Sequence, residues 1–300
     1  MNPFGHYFQK DFLEAGNNLS DLADAATART NLGVAGYDSL ASLSDGRLTL
    51  TSGVPNYTAD ADAATTLYYT PYIGNVISLW DGSNWVPTEF SELSLDVSAL
   101  TANKVYDIWG YLDSGALALE SLVWTDDTTR ATAVATTDGV QHKSGDQTRR
   151  LLGTIYTQSN SGTKISDSNG NRLVWNARNR VIRYGFTNSA NAHSYTTSTW
   201  RAWNNDASIR VNVVCGESQL FNAKIIGQSY GTSGPYTAID RDGTASGSSP
   251  LFRNANTALV HAGSSQTLIS PAGFHFFQIT QYGYTGSQFN QARLDMDWWA

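Results

Sequence analysis

The residues able to do chemistry are few, and their spacing suits little of it. The histidines, His6, His142, His193, His261 and His275, show neither H-x-x-x-H nor H-E-x-x-H spacing, so a zinc hydrolase centre is not expected. There is no G-x-S-x-G elbow and no P-loop. The single cysteine, Cys215, sits in "IRVNVVCGES", which reads as a buried strand, so it is expected in the core, and an intrachain disulfide is impossible. Glycan cleavage needs two carboxylates facing one another, and acids cluster at Asp126–Asp127, at Asp240 with Asp242, and at Asp295 with Asp297. Yet Asp126–Asp127 lies in "WTDDTTR", where aspartate serves turn hydrogen bonds, and Asp295 and Asp297 alternate along a terminal strand and should face solvent. "DSNGN" (Asp167, Asn169, Asn171) and "DRDG" (Asp240, Asp242) echo calcium loops, but both lack the later glutamate and read as hairpin turns. No catalytic residue, metal ligand or cofactor is expected, and the chain is read as a non-enzyme.

Binding is what the composition favours. The chain holds 9 Trp and 15 Tyr, and aromatic rings stack on the apolar faces of sugars while neighbouring polar groups bond the hydroxyls. "TSTWRAWNND" supplies Trp200, Arg201, Trp203, Asn204 and Asp206. "QYGYTGSQFNQAR" supplies Tyr282, Tyr284, Gln288 and Arg293, in an expected loop. With Ser198–Trp203 as a strand, Trp200 points to one face and Arg201 and Trp203 to the other. For any one of these residues sandwich core or subunit interface is the more ordinary role.

The elements that must position them are strands. Charged residues are only 15% of the 300, and small polar residues fill the difference, a mix suited to strand faces and tight turns. The net charge of −7 disfavours nucleic acid as a partner. No stretch reaches the roughly 20 apolar residues of a membrane span, and the start "MNPFGHYFQKDF" lacks the pattern of a secretory signal, so synthesis in a cytoplasm and no membrane insertion are expected.

One helix is predicted, in "NNLSDLADAATARTNLGV" (17–34): Asn18 caps it, Leu19, Leu22, Ala26 and Leu32 form a narrow apolar stripe, and Gly33 stops it. So short a helix needs a packing partner, and copies of itself are the economical one. Phe4, Tyr7, Phe8 and Phe12 precede it and are expected to dock on another surface or on the protein's own body. Beyond it the period becomes two. Trp80 and Trp85 flank the turn of one hairpin. In "KVYDIWGYLDSGALALESLVW" Tyr106, Ile108 and Gly110 alternate with Asp107, Trp109 and Tyr111 before a turn at "DSGA". From about residue 182, strands of 5–8 residues between Gly-, Ser- and Asn-rich connections predict an all-β, antiparallel, jelly-roll-like sandwich. The expected organisation is 1–45 as an attachment and oligomerisation segment, 46–181 as a β-rich domain, and 182–300 as a C-terminal sandwich.

"LSDLADAATARTNLG" resembles a segment that recurs in bacteriophage tail fibres and related virion fibre proteins. "YYTPYIGNVISLWDGSNW", "YDIWGYLDSGALALESLVWT", "TRATAVATTDGVQHKSGDQTRRLLGTI" and "LVWNARNRV" resemble phage virion proteins of the same broad kind. The resemblance covers roughly residues 17–181. It implies a structural protein of the virion: a homotrimer anchored to other virion proteins by its N-terminus, displaying a β domain that attaches to a host surface glycan or receptor. A purely structural collar, adaptor or head-decoration protein is the alternative, and a polysaccharide-degrading spike the second alternative.

Overall fold

In a computed structural model of the chain, residues 40–159, 161–243, 251–253 and 260–300 are described. The expected helix at 17–34 and the attachment residues Phe4, Tyr7, Phe8, Phe12, Leu19, Leu22, Ala26 and Leu32 lie outside them.

The described residues are almost entirely strands, as the period of two requires. The first are β1 (Gly46–Thr49), β2 (Ala61–Ala64), β3 (Thr66–Pro71), β4 (Val76–Trp80), β5 (Trp85–Glu89), β6 (Leu93–Asp96), β7 (Val105–Asp113) and β8 (Ala116–Val123). There follow β9 (Val134–Thr137), β10 (Val140–Lys143), β11 (Asp146–Tyr156), β12 (Gln158–Ser159), β13 (Thr163–Ser168), β14 (Asn171–Arg172) and β15 (Val174–Asn176). A sheet ordered β8-β7-β11-β10-β9, with β15 also on β11, is the centre of this part, and β1-β3-β6 and the β4-β5 hairpin accompany it. The β7–β8 turn sets both Ser114 (φ 52°) and Gly115 (φ 85°) left-handed, the geometry a two-residue hairpin needs to match strand twist.

Alternation along β7 separates two cores. Tyr106 and Ile108 join Leu48, Leu67, Tyr69, Ile77, Leu152 and Ile155 on one side. Val105 and Trp109 join Leu151, Trp124 and Trp175 on the other, in a cluster that continues into the second half of the chain. Between these apolar groups lies a buried polar knot. Arg130 Nε and Nη2 donate to Asp107 Oδ2 and Oδ1 at 2.7 and 3.2 Å, Thr154 Oγ1 donates to Asp107 Oδ1 at 2.8 Å, and Arg130 Nη2 donates to the Gly216 carbonyl at 2.6 Å. The knot ties β7, β11 and the connection after residue 215 together. Gly216 has to be glycine: a Cβ there would lie 2.1 Å from the Trp175 ring. A second buried cation, Arg150, has no carboxylate partner among the described residues. It donates to the carbonyls of Ala41, Ser78 and Ser42, and burial pushes its guanidinium down to about 10.

The remaining strands are β16 (Ile182–Ser189), β17 (His193–Ser194), β18 (Trp200–Ala202), β19 (Arg210–Cys215), β20 (Gln219–Tyr230), β21 (Tyr236–Arg241), β22 (Leu251–Arg253), β23 (Val260–Ser270), β24 (Gly273–Tyr282) and β25 (Gln288–Trp299). Setting aside the short β17 and β18, they form two sheets, β16-β25-β20-β23 and β19-β24-β21-β22. In chain order that is first-eighth-third-sixth against second-seventh-fourth-fifth, the interleaving of two Greek keys that makes a jelly roll. The inner faces interdigitate: Phe221 on the first sheet meets Phe277 on the second at 5.0 Å between ring centroids, with Trp298 at 5.0 Å on its other side. Strands here reach 12 residues in β20 and β25, longer than the 5–8 expected.

Cys215 is buried in this core, and burial pushes its thiol far above the ordinary cysteine value. The expected result is no reaction with an aromatic disulfide reagent in the native state and one equivalent after denaturation. Rapid native labelling would contradict its burial.

Candidate functional site

The second sheet of the jelly roll places its odd-numbered β24 residues, Phe277 and Ile279, in the sandwich core and the even-numbered ones on its other face, where Gln278 and Thr280 are buried and Tyr282, at the end, is half-buried. At that end register decides what meets. Trp200 of β18 lies directly opposite Tyr282 of β24, Tyr282 opposite Tyr236 of β21, and Tyr236 opposite Arg253 of β22. Directly opposed residues share a face, so four neighbouring strands present Trp-Tyr-Tyr-Arg in a single row. Three strand spacings make it about 14 Å long. Tyr284 extends it past the end of β24.

The contacts bear out the register. Ring centroids are 5.4 Å apart for Trp200 and Tyr282, 6.0 Å for Tyr236 and Tyr282, 5.3 Å for Tyr282 and Tyr284, and 6.2 Å for Tyr236 and Tyr284. The Arg253 guanidinium lies 5.5 Å from the Tyr236 centroid, held by a 3.0 Å bond from Nη2 to the Ser233 carbonyl. All four rings are half-buried and Arg253 is exposed. Desolvation, the neighbouring Tyr236 and Tyr282 phenols and a hydrogen bond to Tyr236 push the Tyr284 hydroxyl above its ordinary value, so it stays protonated at neutral pH. The ring planes tilt against one another by 45–77°, making a corrugated strip and not a flat plate. Such a strip offers apolar faces, phenol hydroxyls and one guanidinium, suited to a short twisted oligosaccharide.

The other residues singled out from sequence go elsewhere. Trp203 does not line this surface: as the alternation expected, it lies with Arg201 on the face opposite Trp200, and just before a turn left-handed at Asn204 (φ 52°) and Asn205 (φ 57°) its indole points inside. There it is 0% exposed, edge-on to His193 at 5.4 Å and Phe289 at 5.3 Å. Asn204 gives its backbone N–H to Gln281 Oε1 at 3.0 Å, and Asp206 caps its own turn by accepting from the Ser208 N–H and hydroxyl. Arg201 faces away from Trp200, its guanidinium 3.7 Å from the Tyr195 ring centroid. Gln288 and Arg293 belong to β25 in the other sheet, not to a loop. Gln288 donates to Ser194 Oγ at 2.6 Å, and Arg293 donates to Asp295 Oδ1 at 2.7 Å. Of the nine, only Trp200, Tyr282 and Tyr284 come together. Tyr236 and Arg253 complete the row and carried no local signal, since only strand pairing joins them to residues about 30–50 positions away.

The acidic clusters are occupied structurally. Asp126 Oδ1 accepts from the Thr128 N–H and hydroxyl. Asp167 of "DSNGN" accepts from Arg172 at 3.2 Å and from Arg183. Asp240 is buried, while Asp242 lies 2.9 Å from His275 Nδ1. Among the described residues no group of three or more His, Cys, Asp or Glu side chains could hold a metal ion, and no helix is long and apolar enough to cross a membrane.

No family model and no curated protein matches the chain. Among solved structures it is similar to the insecticidal delta-endotoxin Cry8Ea1 of Bacillus thuringiensis, at 8% identity and a TM-score of 0.26, over 84% of this chain and 51% of that one. It is also similar to the structure of infectious bursal disease virus, Gx strain, at 12% identity and a TM-score of 0.27, over 84% of this chain and 70% of that one. The chain thus spans about half the length of the endotoxin. Likenesses this distant carry nothing about what the chain does.

Proposed function

We propose that this chain is a non-enzymatic structural protein of a bacteriophage particle, a tail-fibre-like appendage whose jelly roll attaches to a glycan on the host surface. Placement in a virion rests on the sequence resemblance over residues 17–181. Attachment rests on one observation, the outward row Trp200-Tyr282-Tyr236-Arg253. Weak single sites gain force by repetition: several copies per appendage and several appendages per particle turn weak contacts into firm adsorption. Residues 1–45 anchor the chain to other virion proteins.

The test is retention of the purified chain on immobilised surface polysaccharides of candidate hosts, with a parallel assay for released reducing ends. Retention without release is the expected result. Release of oligosaccharides would make the protein a degrading spike, and absence of retention on every polysaccharide would make it a collar, adaptor or decoration component.

A further inference from the structure

The first sheet of the jelly roll has an outer face that the row above does not use, and it is unusual for a solvent-exposed surface. Its largest apolar residues line up. Ile182 pairs with Trp299, and Leu220 pairs with Ile269. The β20–β25 register, Asn222 with Asp297, brings Trp299 beside Leu220. The four side chains are 52%, 57%, 61% and 67% exposed in strand order Ile182, Trp299, Leu220, Ile269, and Tyr184, one row further in, is 66% exposed. Single exposed apolar residues are ordinary, but a contiguous band across every strand of a sheet marks a surface that is covered by another molecule.

The polar rows beside this band indicate which molecule. Next comes Tyr184-Asp297-Asn222-Thr267, then Phe186-Asp295-Lys224-Ser265, then Arg293 with Asn188 and Ile226. The charges here are Asp295, Asp297, Lys224 and Arg293, which cancel, on a chain whose net charge is −7. Two copies of so acidic a protein meet with least repulsion through a neutral face. The arrangement is also complementary to itself. Rotation by 180° about an axis parallel to the strands, midway between β25 and β20, sets Trp299 against Leu220, Ile182 against Ile269, and Asp295 against Lys224. Each contact occurs twice, as an isologous interface requires. Lys224 makes no hydrogen bond or ion pair with any described residue, although Asp295 is its cross-strand neighbour. With strands of 8–12 residues across four positions the face measures roughly 700 Å², close to the ~800 Å² that each partner contributes to a standard interface.

We infer that the outer face of β16-β25-β20-β23 is the docking surface for a second copy of this chain, the two sheets packed face to face about that two-fold axis. The aromatic row on the opposite sheet then points outward from both sides of the pair. This inference does not depend on what that row binds.

The experiment uses the full chain and three variants: Lys224→Asp, Asp295→Lys and Trp299→Ser. All three side chains lie on the outer face, and protection of Cys215 from thiol reagents checks that each variant is folded. Association is measured by sedimentation equilibrium at micromolar concentration. The wild type is expected to associate, and each variant to do so at least about tenfold more weakly, since either charge reversal sets like charges against each other twice. An equimolar mixture of Lys224→Asp and Asp295→Lys chains is expected to regain association, because in a mixed pair both contacts join opposite charges. A monomeric wild type, variants that associate as the wild type does, or a mixture no tighter than its components would each overturn the inference. The last two results would place the contact on another part of the chain, residues 1–39 included.

Discussion

Replacing Asp107 by alanine is expected to destabilise the folded chain by about 3–5 kcal/mol, the cost of leaving a buried cation without its partner. Asp107 has 2% of its side chain exposed and Arg130 16%, so water can do little for the guanidinium that remains. That guanidinium would keep only its bond to the Gly216 carbonyl and its place 4.4 Å from the Trp124 ring centroid, and Thr154 would lose its acceptor inside the core. For a body of this size the loss corresponds to a fall in Tm of roughly 10 °C. The double variant Asp107→Leu with Arg130→Met separates charge from shape. It removes both charges while keeping apolar volume, and is expected to recover most of the stability. If Asp107→Ala melts within 2–3 °C of the wild type, the knot is dispensable and the parts it joins are held by the surrounding tryptophans alone.

The second large effect distinguishes two tryptophans three residues apart. Trp203→Ala should cost about 3–5 kcal/mol, because it empties an indole-sized space against His193 and Phe289 in the sandwich core. Trp200→Ala should cost less than half of that, since its ring is half-buried. Their effects on glycan retention should run the other way. Trp200→Ala and Tyr282→Ala are each expected to weaken retention at least tenfold, about 1.4 kcal/mol per ring, and together to abolish it. Trp203→Ala, below its melting temperature, should bind as the wild type does. Thermal melts and retention measured on the same preparations give both readings. Equal retention by the wild type and the Trp200→Ala, Tyr282→Ala double variant would remove the aromatic row from the function.

The amino-acid sequence by itself determined the fold class and those elements whose pattern is carried by consecutive residues. Period-two alternation through Tyr106–Tyr111 and the turn at Ser114–Gly115 identify a hairpin, because a strand's faces and a left-handed turn are properties of consecutive residues. The apolar run around Cys215 marks a core strand for the same reason. Leu294, Met296 and Trp298 go inside while Asp295 and Asp297 go outside, as the terminal alternation requires. Only the tertiary structure decided which strands became neighbours. The row Trp200-Tyr282-Tyr236-Arg253 and the band Ile182-Trp299-Leu220-Ile269 each draw on four strands far apart in the chain, and a shift of a single residue in any of them would scatter the row. Alternation sends Trp203 to the face opposite Trp200, but only the packing of the other sheet, with Phe289, makes that face the core. Local chemistry is written residue by residue, whereas a surface assembled across strands exists only after long-range hydrogen bonds have set the register.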